Sequence, residues 1–318
     1  MNDMKYVVNN REKSMRRLVQ YFKNDWLLYL IFLPGLTYFI VFKYLPMYGL
    51  KIAFQDYSVY AGFENATWVG FGVFSKLFKR MAFKNAFWNN IIISSLKLLC
   101  GFPVPVILSL MINEVRCKPV KKLYQTAVIL PNLISWVVVY SFMYTLFNLT
   151  DGVVPGVLKN LGYMGPIKNI LGEKETFRMV LVLSDIWKTS GMTTIVYLSA
   201  IAGIDPGIYE AAQIDGAGKW RQMWHITLSS IRSTIVIMLI FRVGSIMHAG
   251  FDQIFVLNNS LVTSVADIID TYIYRIGLTD LKYSEATAAG LLQSLIGFGL
   301  VMVTNFIAKK IDPDSGIM

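Results

Sequence analysis

The segment that decides the fold reads Gly203-Ile-Asp-Pro-Gly-Ile-Tyr-Glu-Ala-Ala-Gln-Ile-Asp-Gly-Ala-Gly-Lys-Trp-Arg-Gln-Met-Trp-His-Ile-Thr-Leu228, and it lies between two long apolar stretches. Asp205 can cap a helix N-terminus, and Pro206 is tolerated at the first helical position, where the missing N–H costs nothing. Gly216 and Gly218 can end the helix. The sequence therefore predicts a short independent helix of roughly ten residues between two hydrophobic segments.

The rest of the chain is dominated by apolar stretches. Of its 318 residues 55% are hydrophobic and only 16% are charged, whereas soluble domains carry about 25% charged residues. A helix that crosses a bilayer needs about 20 apolar residues. Six stretches meet that length: 26–46, 88–113, 123–147, 177–201, 231–256 and 285–307. We therefore predict an all-α membrane protein built as a bundle of six transmembrane helices.

Lys and Arg are distributed unevenly between the two sides of these spans. With the N-terminus inside, fifteen of the thirty lie on the inner side and twelve in the longer outer loops, which favours cytoplasmic termini. The predicted organisation is a cytoplasmic basic segment at 1–25, a six-helix domain at 26–310 and a cytoplasmic tail at 311–318. Within the domain, an outer loop covers 43–87 and the inner loop is 203–228.

Several spans contain residues that weaken helices. Irregular backbone at membrane depth must be buried in protein or line a wet cavity. The interruptions predict either a bundle with a pathway or local kinks in a scaffold. They are Pro34-Gly35, Gly101 with Pro103 and Pro105, Pro131-Asn132, and Gly191.

The outer loop at 43–87 is rich in aromatic residues, among them Tyr57, Trp68 and Phe74. Such a composition is unlike that of a disordered linker. Two interpretations remain open. The loop packs on the outer membrane surface or meets an outside partner, or its rings form an interfacial aromatic belt.

The inner loop carries small and acidic residues at fixed spacing, followed by Ile226 and Leu228. This pattern resembles the EAA loop of binding-protein-dependent ABC importers, in which the loop couples the permease to a cytoplasmic ATPase. Ser229 stands where that family usually has proline. The resemblance assigns the coupling role to six residues: Glu210, Ala211, Ala212, Asp215, Gly216 and Ala217.

The likeness extends over nearly the whole chain, including the segments 48–50, 53–57, 68–70 and 185–188. The chain is similar to the carbohydrate permeases of the LplB-like group, which take up polysaccharide or oligosaccharide. The resemblance implies a type I ABC importer permease in a bacterial cell membrane. Its implied partners are a second homologous permease, two ATPase subunits, an external sugar-binding lipoprotein and membrane lipid.

Nothing in the sequence indicates catalysis by this chain. The phosphate-binding pattern G-x-x-x-x-G-K-[ST] is absent, and the two histidines and two cysteines form no metal-ligand cluster or nucleophile motif. Cys100 and Cys117 should lie in different environments, so no disulfide is expected. We expect no catalytic residue, metal or cofactor here, with ATP and Mg²⁺ bound by the partner ATPase. The net charge of +10 follows from membrane topology and does not indicate nucleic acid binding.

Five ionisable residues fall within the fourth and fifth spans, where a charge costs several kcal/mol unless it is paired or hydrated. Asp185 and Lys188 are three apart on one helical face and are expected to neutralise each other. Arg242 has no carboxylate nearby in its own helix. Its partner is either Asp185 or Asp252 across the bundle, or an acidic cargo. If Arg242 pairs with one of these carboxylates, the cargo can be neutral.

Candidate substrate contacts come from two sources. By resemblance to maltose-type permeases, in which the sugar lies between the spans that flank the EAA loop, and from the charges above, we predict a substrate pathway of Asp185, Lys188, Thr189, Arg242, Ser245 and His248. An aromatic stripe on the third span is a second candidate, with packing as the more frequent role of such stripes. The stripe consists of Trp136, Tyr140 and Tyr144. With it, the polar residues Ser184, Thr189, Ser245 and Gln293 could line a sugar site.

Two other functions compete with the importer. An ion-coupled secondary transporter working alone would explain the buried charges, but it has no use for an EAA loop. A membrane-embedded enzyme would need a reactive constellation, and the sequence offers none. The sequence therefore favours a permease subunit of an ATP-driven carbohydrate importer.

Overall fold

The computed structural model describes residues 24–60, 62–163 and 165–311. Most of the predicted basic segment 1–25, and residues 312–318 of the predicted tail, lie outside the described residues. The chain divides into two compact units with a boundary between Ile52 and Ala53.

The described part of the first unit is one long helical segment. Helix α1 (Trp26–Phe39) continues through a π-helical turn (Ile40–Tyr44) into a 3₁₀ helix (Leu45–Phe54). Together these form a 29-residue candidate span with no buried residue in its apolar window. The predicted span 26–46 is too short. Pro34 lies within α1 without ending it.

The second unit contains the remaining elements. A two-residue strand β1 (Gln55–Asp56) pairs antiparallel with β2 (Thr67–Trp68). The helices that follow are α2 (Gly72–Lys79), α3 (Met81–Gly101), α4 (Pro103–Asn113), α5 (Lys118–Leu133), α6 (Trp136–Phe147), α7 (Val153–Asn160), α8 (Lys174–Ala202), α9 (Pro206–Ile214), α10 (Lys219–Gln222), α11 (Leu228–Ser230), α12 (Arg232–Gly244), α13 (Phe251–Leu257), α14 (Thr263–Ala266), α15 (Ile269–Tyr274) and α16 (Tyr283–Ile311). Two further π-helical turns cover Met223–Thr227 and Arg275–Thr279.

The number of membrane spans depends on how bent helices are counted. Among the described residues, three helical segments are long and apolar enough to cross a membrane: Trp26–Phe54, Met81–Asn113 and Tyr283–Lys310. Three bent pairs pass the same test when each pair is taken as one span, which raises the count to six. The bends are 97° between α5 and α6, 69° between α8 and α9, and 59° between Lys219–Ser230 and α12.

Two predicted spans are interrupted, for local reasons. In the predicted span 123–147, helix α5 ends at Leu133, and Ser135 caps α6 by accepting a hydrogen bond from the Val138 backbone N–H at 3.4 Å. In the predicted span 231–256, helix α12 ends at Gly244. The chain turns through Gly250, whose φ of +101° is rarely adopted by other residues. Neither stretch is the continuous helix that hydrophobicity alone predicts.

The prolines at 103 and 105 do not break the second span. Pro103 is the first residue of α4, where a proline removes no intrahelical hydrogen bond. Helices α3 and α4 therefore act as one candidate span of 33 residues, Met81–Asn113. It begins seven residues before the predicted start at 88, so the described helical structure extends into the predicted outer loop 43–87.

From Gln55 onward the outer loop contacts the N-terminal turn of α16, the last helix. Ser284, at the start of α16, accepts a hydrogen bond from Tyr57 N–H at 2.9 Å and donates one to the Gln55 carbonyl at 2.7 Å. Arg80 forms an ion pair with Glu285 at 2.6 Å. Helix α2 buries its apolar face in a cluster shared with α3, α15 and α16. These contacts tie β1 and the residues next to α3 to the start of α16.

Helix α8 is at the centre of the second unit, where it packs against α3, α4 and α5. Gly191 explains how closely α8 approaches α5. A Cβ atom at this position would overlap the backbone carbonyl of Val128. The glycine that the sequence marks as a helix weakener is therefore a close-approach site between two helices, and α8 runs through it without a break.

Replacing Gly191 with alanine should destabilise the protein by about 1–3 kcal/mol, because the new methyl group can be accommodated only by separating α8 from α5. Thermal unfolding of the detergent-solubilised protein measures the change as a lower Tm. Gly299→Ala is the matched control, since Gly299 also lies inside a helix and an added Cβ there would meet no atom within 4 Å. An unchanged Tm for Gly191→Ala would contradict the close approach.

Candidate functional site

The predicted short helix is present as α9. Asp205 caps it by accepting a hydrogen bond from the Gly207 N–H at 2.9 Å, and Pro206 is its first residue. Gly216 follows the helix with a φ of +75°. Gly218 does not take part in ending it. Its φ of −67° is ordinary, and it precedes α10 instead.

Helix α9 buries none of its residues in this chain. Of the six predicted coupling residues, Ala212 and Ala217 are half-buried, and Glu210, Ala211, Asp215 and Gly216 are exposed. A 2.9 Å hydrogen bond between the Tyr209 hydroxyl and the Thr227 hydroxyl connects the helix to the π-helical turn at Met223–Thr227. The segment therefore presents an exposed surface that includes small residues, while Tyr209 anchors the helix to Thr227.

A cluster of charged side chains lies inside the bundle. Asp185 of α8 accepts from Lys97 of α3 at 3.2 Å through Oδ1, and from Arg242 of α12 at 3.1 Å through Oδ2. The expected pairing of Asp185 with Lys188 is wrong. Arg242 has the carboxylate partner from across the bundle that its own helix could not supply.

Lys97 is almost completely buried, with 4% of its side chain exposed. Its ammonium group also donates to the Ala249 carbonyl at 2.8 Å and to the side-chain oxygen of Gln253. An ammonium group has three donors, so all three are used. Gln253 in turn donates to the Leu181 carbonyl at 2.7 Å. Lys97 and Gln253 thereby tie α3 and α8 to the irregular turn around Gly250.

Four of the six predicted pathway residues meet at one cavity. Asp185, Thr189, Arg242 and Ser245 line an open cavity of about 220 Å³, together with residues of α3, α4 and α8. Thr189 donates to the Asp185 backbone carbonyl at 2.8 Å, and Ser245 donates to the Arg242 carbonyl at 3.0 Å. The cavity thus combines fixed hydroxyl groups with a charged pair.

Lys188 lies apart from these residues. Its ammonium group donates to the Asn132 carbonyl at 2.9 Å and is 5.5 Å from the centre of the Trp136 ring. Lysine side chains commonly satisfy the free carbonyls at helix C-termini, and Asn132 is in the last turn of α5. Lys188 therefore stabilises the break between α5 and α6 instead of pairing with Asp185.

This break opens into a second cavity of about 510 Å³, lined by Asn132, Ser135, Trp136, Lys188 and Asp252 among others. An aromatic face beside amide, hydroxyl and charged groups is the kind of lining that binds polar ligands with an apolar face. Lys188 thus lines a different cavity from Asp185.

The predicted aromatic stripe is divided between two roles. Trp136 and Tyr140 pack against the buried cluster of α3, α8 and α13, and the Tyr140 ring is 6.1 Å from that of Tyr144. Of the three, only Trp136 lines a cavity described above. Ser184 donates to the Val180 carbonyl at 2.6 Å. Packing accounts for most of the stripe.

His248 occupies the turn between α12 and α13. Its Nδ1 is 3.3 Å from the Asp270 carboxylate, and the same carboxylate accepts from the Gln293 side chain at 2.8 Å. Its side chain is 60% exposed. His248 is therefore oriented by α15 and α16, and it borders a third, smaller cavity next to Asp185 and Arg242.

Sequence reasoning missed Lys97 and Gln253 as members of this site. Lys97 had a usable signal, because a lysine within an apolar span requires a partner. Gln253 had none, since an amide near a helix start is unremarkable. In the part of the chain that the structure describes, no group of three or more His, Cys, Asp and Glu residues could hold a metal ion.

The chain has close relatives among known proteins. Residues 68–315 match the family of binding-protein-dependent transport system inner membrane components. Protein LplB of Bacillus subtilis (strain 168) is 45% identical over 92% of this chain and 91% of its own length. The polygalacturonan/rhamnogalacturonan transport system permease protein YteP of the same organism is 41% identical, over 96% of this chain and 94% of its own.

Two solved structures share the fold. One is a crystal structure of a bacterial ABC transporter involved in the import of the acidic polysaccharide alginate. A chain of it is 40% identical, with a TM-score of 0.86 over 93% of this chain and 99% of that one. The other is a bacterial alginate ABC transporter in complex with an alginate pentasaccharide-bound periplasmic protein. Its TM-score is 0.85 at 40% identity, over 93% and 98% of the two chains.

Replacing Asp185 with asparagine should destabilise the protein by about 3–5 kcal/mol, because Lys97 loses its countercharge in a buried site. Thermal unfolding of the purified protein measures this as a lower Tm. Asp252→Asn is the matched control, since Asp252 is exposed. Equal stability of the two variants would show that the cluster contributes nothing to the fold.

Proposed function

Because the chain belongs to the family of binding-protein-dependent transport system inner membrane components, we propose that it is the membrane subunit of an ATP-driven carbohydrate importer. It forms a translocation pathway with a second, homologous permease and binds two copies of a cytoplasmic ATPase. Energy comes from ATP and Mg²⁺ on the ATPase, so this chain needs no cofactor or catalytic residue. The observation that carries the proposal is the capped, exposed helix α9 within a chain related to sugar permeases at 45% and 41% identity.

The proposed topology has six spans with cytoplasmic termini in a bacterial cell membrane. Each bent pair of helices then contributes one crossing, and α9 lies on the cytoplasmic side. Helix α9 suits a docking role because it is short, rigidly capped and unburied within its own chain. ATP-driven closure of the ATPases would move α9 and the bundle attached to it, which alternates between two arrangements.

The ion-coupled alternative lacks support, because the relatives are ABC transporter subunits and the buried charges are paired with one another. The outer loop is proposed to meet the external sugar-binding protein or the partner permease. Its residues Gln55 and Arg80 are bonded to Ser284 and Glu285 of α16, so they hold this part of the loop against the bundle.

The proposed cargo is an oligosaccharide, with an acidic one favoured by the excess of positive charge at the Asp185 cluster. The two cavities suit different parts of such a cargo. Trp136 at the second cavity offers an aromatic face to a sugar ring, and Asn132, Ser135 and Lys188 lie beside it. Asp185, Thr189, Arg242 and Ser245 line the first.

Replacing Gly216 with valine should uncouple ATP hydrolysis from uptake, because a β-branched residue is strained at a φ of +75° and would reorient the end of α9. The assay is uptake and substrate-stimulated ATP hydrolysis by the complex reconstituted in liposomes. We expect uptake to fall at least about tenfold, equivalent to about 1.4 kcal/mol.

The matched control is Gly218→Val, two residues away, where φ is −67° and no atom lies within 4 Å of an added Cβ. This variant should retain most of its uptake. If Gly216→Val couples as well as the wild type, α9 does not transmit the ATPase movement.

Replacing Trp136 with alanine should raise the KM for oligosaccharide uptake by about three- to tenfold, since a stacking surface worth roughly 0.5–1.5 kcal/mol is lost. Initial uptake rates at varied substrate concentration provide the measurement. Tyr144→Ala, one exposed ring of the same helix outside the cavity, is the control. Equal effects of the two substitutions would assign Trp136 to packing alone.

A further inference from the structure

The Asp185 cluster holds more positive than negative charge. Lys97 and Arg242 both approach a single carboxylate, with contacts of 3.2 and 3.1 Å. Lys97 is deeply buried and its three donors are occupied by Asp185, Ala249 and Gln253. An uncompensated charge is expensive at membrane depth. With two cations and one carboxylate, the cluster lacks one negative charge for neutrality.

Arg242 is the member of the cluster that can bind something else. A guanidinium group has five N–H donors, and among the described residues Asp185 is the one acceptor recorded for it. Its side chain is 38% exposed, compared with 4% for Lys97. Its remaining donors are thus available at the cavity, and Arg binds carboxylates through two parallel hydrogen bonds.

Ser94 provides a second, independent observation. This residue of α3 is 6% exposed, and its hydroxyl is buried with no hydrogen-bond partner among the described residues. Buried hydroxyl groups nearly always have a partner. Its unused donor is therefore a sign of a bound group or of water in the cavity that it lines.

Ser94 and Arg242 face the same small cavity. It measures about 70 Å³ and shares Asp185, Arg242 and Ser245 with the larger cavity next to it. Its volume exceeds the roughly 10–15 Å³ that one water molecule requires, so a carboxylate group fits. Lys97 and His248 also line it.

We propose that this small cavity is a subsite for a carboxylate on the sugar cargo, that is, for a uronic acid residue. Arg242 donates to the carboxylate with the N–H groups that Asp185 does not use, and Ser94 donates its free hydroxyl. Lys97 keeps Asp185 neutralised, so Arg242 can turn toward the cargo without leaving a buried carboxylate unpaired. The subsite rests on the proposed carbohydrate import, and it makes Ser94 and Lys97 determinants of cargo charge.

The test compares an acidic cargo with a neutral one of the same shape. The probes are a short oligosaccharide of uronic acids and the same oligosaccharide with its carboxylates methyl-esterified. Uptake of each is measured with the complete complex in liposomes, for wild type, Ser94→Ala and Arg242→Gln. Initial uptake rates at varied concentration give a KM for each probe. The binding protein is the same throughout, so its own preference cancels when each variant's acid-to-ester ratio of KM values is divided by that of the wild type.

We expect the acid-to-ester ratio of KM values to rise about threefold or more for Ser94→Ala and at least about tenfold for Arg242→Gln, because a charge-assisted contact is stronger than a neutral one. Ser109→Ala is the matched control. This serine is equally buried, but its hydroxyl is bonded to the Val106 carbonyl at 2.7 Å and lies outside the cavity. Its ratio should not change.

Equal changes for acid and ester in Ser94→Ala, or no change in either, would overturn the subsite while leaving carbohydrate import intact. If the Arg242→Gln complex fails to assemble, Ser94→Ala alone tests the subsite. That substitution removes a single oxygen atom and leaves every charge in place. If the wild-type complex takes up neither probe, the result would instead contradict the proposed function, and the subsite with it.

Discussion

The bundle depends on the ion pairs that Asp185 forms with Lys97 and Arg242. In a low-dielectric interior the desolvation of each charge costs several kcal/mol, and only close pairing offsets it. The three residues come from α3, α8 and α12, so their pairing ties these three helices together. Lys97 extends the constraint, because its bond to the Ala249 carbonyl holds the turn that follows α12.

The same principle explains the broken helices. A helix that ends inside a membrane exposes carbonyl groups that water cannot reach. Here lysine side chains bind carbonyl groups at the breaks: Lys188 at Asn132 in the last turn of α5, and Lys97 at Ala249 in the turn between α12 and α13. These breaks border the cavities in which ligands are proposed to bind. Structural support and access for a polar cargo thus depend on the same irregular backbone.

The sequence predicted the local features well and the long-range contacts poorly. Helix α9 followed from Asp205, Pro206 and Gly216, because caps and turns depend on neighbouring residues. The pairing of Asp185 with Lys188 failed because spacing along one helix does not reveal a closer partner on another. The break between α5 and α6 follows directly after Pro131-Asn132, which the sequence marked as an interruption. The break near Gly250 was missed, since the hydrophobicity of a segment does not show where its backbone leaves the helix.

The two-to-one ratio of cations to carboxylate at Asp185 has an electrical consequence. A membrane potential acts on each elementary charge that crosses it with about 2.3 kcal/mol per 100 mV. The cluster carries one net positive charge, and a single cargo carboxylate would cancel it. A uronate bound at this point would form a locally neutral assembly, which lowers the cost of desolvating its charge there. The electrical work of moving its charge across the whole membrane is unchanged, because the cluster itself does not cross.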